Sequence, residues 1–310
     1  MKSNNFISKT TKLLSNYYDE LAKIKTLDLP ACGYHYTDAG ALKNIISQNT
    51  IWLSDIEYLN DETETKYIYE LIEDMFENNE LRVNERLGKA LLDRCNYVKS
   101  NDYFQQEFGI SYKEKNFVIS LSKEPDNLIL WNNYTKNINK IGYNIGFKRE
   151  DLLQCLKERL NKKDNIIHGN VIYDINIQKD LINRLIYAFN DLLGYENASE
   201  MLVFQYIGML LNVYALFFKK QCFENEKEYR IIIGKRQDIN GRDISCDFRI
   251  CNGLLIPYYQ FSFSKECVSS ISISPTVKEE LYNASIRRLL NRYEYSKDVN
   301  VLNSTIPLRY

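Results

Sequence analysis

The stretch Phe223-Glu224-Asn225-Glu226-Lys227-Glu228-Tyr229-Arg230 runs directly into Ile231-Ile232-Ile233-Gly234. The isoleucine run is short, β-branched and uncharged, and reads as a buried strand. Side chains alternate along a strand, which puts Glu226, Glu228 and Arg230 on one face at its mouth. Charges at the end of a core strand are costly unless they pair or meet a ligand. Two readings fit. In one, Arg230 forms a buried ion pair with Glu226 or Glu228; in the other, the acids face a cleft. Both hold together if Arg230 orients one carboxylate.

The rest of the composition narrows the class. A chain of 310 residues, 45% hydrophobic and 26% charged, can bury a sizeable core in one large domain or two small ones. A net charge of −1 supplies no overall basic field to draw it to nucleic acid or membrane. The 24 tyrosines fit either AT-rich codon usage or an aromatic-lined pocket. Seven cysteines form no CxxC pair, and only two histidines, His35 and His168, accompany them, which argues against a zinc site. An odd cysteine count and no apolar run after Met1-Lys2-Ser3-Asn4-Asn5 lead us to expect reduced thiols in a cytoplasmic protein. Residues 201–218 carry no charge, but are short for a span, contain Gln205 and Asn212, and are flanked by Glu200 and Lys219-Lys220. A buried core helix is expected there, and no membrane partner.

Along the chain, residues 4–29 read as a helical arm that ends at Leu29-Pro30. Strands are expected at 33–37, 51–54, 116–122, 142–147, 170–173, 229–234, 247–251, 254–259, 268–273 and 299–302, with a turn at Asn252-Gly253. Helices are expected after Asp38 and over about 62–108, 128–134, 149–162, 176–220 and 276–292, with Asp61 as a cap. His168 falls in an expected loop. Strands and helices mix without a βαβ rhythm, so the class is α+β. The organisation expected is an arm over 1–30 and one domain over 31–310, with helical insertions near 62–108 and 176–220 that offer a surface for a partner or a homo-oligomer.

A series of short motifs then becomes specific. Tyr34-His35-Tyr36-Thr37, Trp52-Leu53-Ser54 and Asn60-Asp61 with Glu64 are followed by Ile119-Ser120-Leu121-Ser122 and Leu130-Trp131-Asn132-Asn133-Tyr134. Gly142-Tyr143-Asn144-Ile145-Gly146-Phe147, Glu226-Lys227-Glu228-Tyr229-Arg230 and Ser304-Thr305-Ile306-Pro307-Leu308-Arg309 complete the order. Over roughly 31–309 this resembles the bacterial domain-of-unknown-function family twenty-nine seventy-one, whose layout is similar to divergent ADP-ribosyltransferases. The resemblance implies mixed and antiparallel sheets in a split β-sandwich. It also implies NAD as the cofactor and a macromolecular acceptor, protein or nucleic acid. A toxin or antiphage effector would fit that activity.

In that superfamily a first strand bears a His or Arg, a second a Ser or Tyr near the nicotinamide, and a later strand a catalytic Glu. The matching positions are His35, Ser120 and Ser122, and Glu226-x-Glu228. A glycine-rich nicotinamide loop is not obvious here, which leaves another nucleotide as an alternative occupant. The resemblance thus makes Glu228 the stabiliser of an oxocarbenium-like ribose, Glu226 the group that activates or positions the acceptor, and His35 a ribose or phosphate contact, where spacing alone reads it as a core residue. Tyr34, Tyr36 and Thr37 add hydroxyls beside His35, while Trp131 and Tyr134 offer a stacking surface or plain core packing. Asn60 and Asp61 anchor a loop over the cleft or merely cap a helix, and Arg309 is a phosphate candidate or a solvated tail residue. A non-catalytic nucleotide-binding or protein-interaction module is the first alternative. A metal-dependent nuclease is the second, using Asp61, Glu62, Glu64, Glu226 and Glu228.

Overall fold

The computed structural model describes residues 12, 13, 15–17, 19, 21–59, 63, 65–100, 114–134, 141–193, 200–236, 246–251, 253–275 and 280–307. Asn60, Asp61, Glu62, Glu64 and Arg309 lie outside the described residues. In chain order come β1 (Cys32–Thr37), α1 (Ala39–Gln48), β2 (Thr50–Asp55), α2 (Tyr67–Glu77), α3 (Glu85–Ser100) and β3 (Glu114–Ser122). Then follow α4 (Leu128–Tyr134), β4 (Tyr143–Lys148), α5 (Arg149–Arg159), β5 (Asn165–Asn170), α6 (Ile175–Leu192) and α7 (Glu200–Ala215). The chain ends with β6 (Glu228–Arg236), β7 (Asp247–Cys251), β8 (Leu254–Ser262), β9 (Val268–Ile273), α8 (Glu280–Arg292) and β10 (Asn300–Asn303).

All ten strands join one sheet, in the order β10-β9-β4-β1-β3-β2-β8-β7, with β6 also on β3 and β5 on β6. Only the β9–β10 pair is parallel among these strands. The α+β class expected from the sequence is the class observed.

The branch at β3 positions the site. One edge of β3 pairs with β6 along its whole length, from Glu114–Arg236 to Ser122–Glu228. On the other edge, β2 takes Phe117 and Val118 through Asp55 and Ser54, whereas β1 takes Ser122 through Tyr34. Among the described residues neither strand is in register with 119–121. The sheet therefore splits there, and β1 and β2 diverge around the middle of β3.

Alternation sorts the faces of β3 and β6. Phe117, Ile119, Leu121, Tyr229, Ile231 and Ile233 enter the main core with Leu42, Ile46, Leu152 and Ile286 from the covering helices. The opposite face carries Val118 and Ile232, packed with Ile56, Leu216 and Phe217, and then Ser120, Ser122, Glu228 and Arg230. Polar residues thus occupy one end of one face, beside an apolar seal.

A second core joins α2, α3, α6 and α7 through Ile72, Leu91, Leu185, Ile186, Leu210 and Leu211. Of the uncharged run at 201–218, residues up to Ala215 form α7, whose inner face is buried in this bundle, and 216–218 leave the helix. No helix among the described residues is long and apolar enough to cross a membrane. Gln178 ties the bundle to the sheet by donating to the carbonyls of Ile172 and Lys219, at 2.6 and 3.0 Å. Near its N-terminal end the described chain is tied to β5: Lys25 Nζ donates to the His168 carbonyl, and Asn170 donates to that of Leu27.

Three expectations need correction. The fifth strand is Asn165–Asn170 and not 170–173; Val171, Ile172 and Tyr173 are buried by packing, and Ile172 makes only an isolated bridge to Phe218. His168 consequently sits in a strand, half-buried, with Nδ1 3.0 Å from the Tyr229 hydroxyl. The helix expected from about 62 begins at Tyr67, with Lys66 at its N-cap position, and the proposed cap Asp61 lies outside the described residues. Asp38, by contrast, caps α1 as expected and accepts from the Ala41 N–H at 2.8 Å.

Candidate functional site

The split in the sheet opens into a cavity of about 600 Å³. Its walls are β1, β2, the middle and end of β3, the start of β6, β7, and the 3-10 turn Gln221–Glu226. His35, Tyr34, Tyr36, Thr37, Ser120, Ser122, Tyr134, Glu226, Glu228 and Arg230 all line it. Residues as far apart in sequence as Tyr34 and Arg230 are thus brought to one space by strand pairing.

One predicted member is elsewhere. Trp131 is only 2% exposed and is not part of the cavity wall. Its indole meets Tyr36 edge-on at 4.7 Å, and Nε1 donates to Asp126 at 2.8 Å. Asp126 also accepts from Ser304 Oγ at 2.6 Å and from the Thr305 N–H at 2.8 Å. Two of the motifs therefore meet at one loop carboxylate and hold the chain's end against α4. Trp131 supports Tyr36 from behind and offers no open ring face to a ligand.

Glu228 opens β6, opposite Ser122, and Arg230 lies opposite Ser120. Glu226 does not extend the strand as expected. It closes the 3-10 turn, and Lys227 between the two acids is left-handed, with φ of 45°. That reversal still delivers both acids to the cavity. The turn is fastened to the end of β3 by Ser122 Oγ, which donates to the Glu226 carbonyl at 2.9 Å, and by the Lys123 N–H, which donates to the Lys227 carbonyl.

Arg230 is fully buried and grips Glu228 with both arms: Nε to Oε1 at 2.7 Å and Nη2 to Oε2 at 3.0 Å. Its Nη1 donates to the Leu216 carbonyl at 2.8 Å, just beyond the C-terminus of α7, where the helix dipole favours a cation. Lys219 Nζ lies 2.8 Å from Glu226 Oε2 and 3.3 Å from Glu228 Oε2. Two acids and two cations balance. Burial alone would raise the Glu228 carboxyl, but Arg230 first, then Lys219 and a hydrogen bond from Ser120, hold it well below the usual carboxylate range. Glu228 is an anion at neutral pH. Glu226 is the more open of the two, its side chain 22% exposed against 5%.

His35 is half-buried on β1. Its pKa is pushed down to about 4 by burial and by the positive charge of Arg249, so the imidazole is neutral at pH 7. Tyr36 donates its hydroxyl to the Glu124 carbonyl at 2.8 Å and accepts from the Asn127 N–H, and burial raises its pKa further. Its oxygen is committed to the loop.

Lys219, Phe223, Trp52 and Arg249 also line the cavity and escaped sequence reasoning as site residues. Lys219 carries a signal in retrospect, as the first charge after 18 uncharged residues, a few positions before two acids. Arg249, flanked by Phe248 and Ile250, carries none. Among the described residues, no group of three or more His, Cys, Asp or Glu side chains is arranged to hold a metal.

With this geometry in place, comparison with known proteins adds one finding. Residues 130–231 match the family described as "Protein of unknown function (DUF2971)". In that region the family expected from the motif order is the family found. The match takes in α4 to the start of β6, with Glu226, Glu228 and Arg230, and leaves β1 and β3 outside it. No curated protein and no solved structure matches the chain.

Proposed function

We propose that the cleft binds NAD and that the protein is an ADP-ribosyltransferase-like enzyme, passing ADP-ribose to a macromolecule or to water. One observation carries this reading: His35 on β1, Ser120 on β3 and Glu228 on β6 line one cavity where the sheet splits. These are the three strand positions that the resemblance matches to such an enzyme.

The chemistry suits the groups present. The bond between the ribose anomeric carbon and the nicotinamide nitrogen breaks, and its electron pair leaves with the nicotinamide, which becomes neutral. Positive charge develops on the ribose, and the Glu228 anion, fixed by Arg230 and Lys219, stabilises it without reorganising. The nucleophile bonds to the anomeric carbon and passes its proton to the Glu226 carboxylate, which is more open to the cavity and placed to orient it, and from there to water. Neutral His35 offers one donor and one acceptor to ribose hydroxyls. The rings of Tyr34, Tyr36 and Tyr134 supply apolar surface for a base.

Purified protein is incubated with NAD labelled in the nicotinamide, with and without candidate acceptors. Wild type should release nicotinamide, and Glu228→Gln should lower the rate by about 10²-fold or more, as for loss of a major electrostatic stabiliser. Equal turnover by both, or none by wild type with any acceptor, overturns the proposal. A second reading, a nucleotide-binding module without chemistry, draws on the fact that both Glu228 oxygens are already engaged by cations. Binding of NAD that Glu228→Gln leaves unchanged, with no turnover by wild type, would establish it instead.

A further inference from the structure

Arg249 stands at the other side of the cavity from the acid cluster. It lies in the middle of β7, and its Nη2 donates to Ser54 Oγ on β2 at 2.9 Å. Among the described residues no carboxylate pairs with it, and its Nε is buried with no hydrogen-bond partner. Buried guanidinium N–H groups without acceptors are costly, so this cavity-lining arginine is one whose hydrogen-bonding capacity the fold does not use up. The neighbouring imidazole does not share the charge, since His35 is neutral beside Arg249. The charges of Lys219 and Arg230, in contrast, are consumed by Glu226 and Glu228. Arg249 is thus the cavity cation whose charge is not balanced by a carboxylate among the described residues.

Its position fits the length of a nucleotide. Ser54, which Arg249 contacts, pairs with Val118 on β3, whereas Glu228 pairs with Ser122. Four residues of strand separate the two levels by roughly 13 Å, a distance the arginine's own reach shortens. Trp52, two residues from Ser54 and so on the same face of β2, is 42% exposed at this wall and stacks on Tyr258 at 4.3 Å. A cation beside an exposed indole, spaced from a reacting carboxylate, is what a nucleotide's phosphates require.

We propose that Arg249, supported by Ser54, is the phosphate subsite of the cleft and takes the diphosphate of the bound nucleotide through its guanidinium. A guanidinium fork suits two phosphate oxygens at once. This rests on the cleft being a nucleotide site, and not on ADP-ribosyl transfer taking place there.

The test uses inorganic diphosphate as the probe, because it reads the subsite whether or not NAD is turned over. Its binding to the full chain is measured by calorimetry for wild type, Arg249→Lys and Arg249→Gln, with thermal unfolding as the check that each is folded. Wild type should bind, Arg249→Gln should bind at least tenfold more weakly, and Arg249→Lys should fall between them. Diphosphate should also displace ADP-ribose from wild type. Equal affinity in wild type and Arg249→Gln, or no binding by wild type, overturns the assignment. A chain that binds diphosphate through Arg249 but leaves NAD intact would overturn the transferase reading and keep this one.

Discussion

Arg230 and Arg249 line the same cleft, and the fold treats them in opposite ways. Arg230 is wholly buried and spends its donors on both oxygens of Glu228 and on the Leu216 carbonyl. Arg249 is half-buried, donates to one serine hydroxyl, and leaves its Nε unmet. The first is bound into the scaffold; the second has capacity left for something that arrives. An arginine beside acids draws notice in a sequence, yet those acids are what neutralise it. The arginine with charge to offer is the one among apolar neighbours, Phe248 and Ile250.

The sharpest way to break this contrast is to remove Arg230. Arg230→Met should destabilise the fold by about 3–5 kcal/mol, the usual cost of stranding one partner of a buried pair. The loss should appear as a lower urea midpoint with little change in slope. Adding Glu228→Gln to that variant should recover part of the loss, since the stranded charge disappears and the two sites are coupled. If Arg230→Met matches wild type in urea, Arg230 does not hold the cleft together.

Glu228→Gln alone should cost less, on the order of 1–3 kcal/mol, because a neutral amide still fills the space but no longer answers two cations. Glu226→Gln, at a more exposed carboxylate with one ion-pair partner, should cost under about 1 kcal/mol. Reversal of that order in urea unfolding would mean that Glu226, not Glu228, is the buttressed acid.

How far these residues could be read from the sequence follows the reach of each signal. Period-two alternation placed Ser120, Ser122, Glu228 and Arg230 on strands that prove to be paired cross-strand neighbours, since alternation is local. Of the expected turn at Asn252-Gly253, Asn252 lies outside the described residues, and Gly253, just before β8, has the positive φ, 81°, that glycine tolerates. At Gly146 a Cβ would collide with the Ser270 hydroxyl, so β4 needs glycine there. β5 was displaced because the apolar Val171-Ile172-Tyr173 looked more strand-like than His168-Gly169-Asn170. The strand forms at the latter because β6 has a second edge to satisfy. Lys219 and Arg249 reach the cavity only through the packing of α7 and the β7–β8 hairpin, which no local pattern encodes.

The two histidines extend the comparison to pH. Burial and Arg249 hold His35 near 4, below the 6.5 it would have unfolded. The unfolded chain therefore takes up a proton first as the pH falls. The stability that a neutral His35 contributes is complete above pH 6.5 and declines as pH drops toward 4. His168 is lowered too, by burial first and then by Lys25, so it acts with the same sign. Between about pH 5 and 6.5, above most carboxylate titration, His35→Gln should flatten the acid-side loss of stability by on the order of 1 kcal/mol, discounted for partial exposure. An unchanged slope in His35→Gln would place the titration elsewhere and remove the argument that Arg249 keeps this imidazole neutral.

The smallest expected change is the most discriminating. Arg249→Gln breaks no ion pair among the described residues and removes a single contact to Ser54, on a strand with exposed Phe248 and Ile250. Its stability should stay within about 0.5 kcal/mol of wild type, the range for substitutions that disturb no buried network. A buried N–H without an acceptor even leaves room for a slight gain, because the uncompensated group is removed. Unfolding in urea with and without saturating diphosphate separates the two roles. Wild type should be stabilised by the anion, as any ligand that binds only the native state stabilises it, and Arg249→Gln should not. If Arg249→Gln is itself strongly destabilised, Arg249 belongs with Arg230 as scaffold, and the contrast between them collapses.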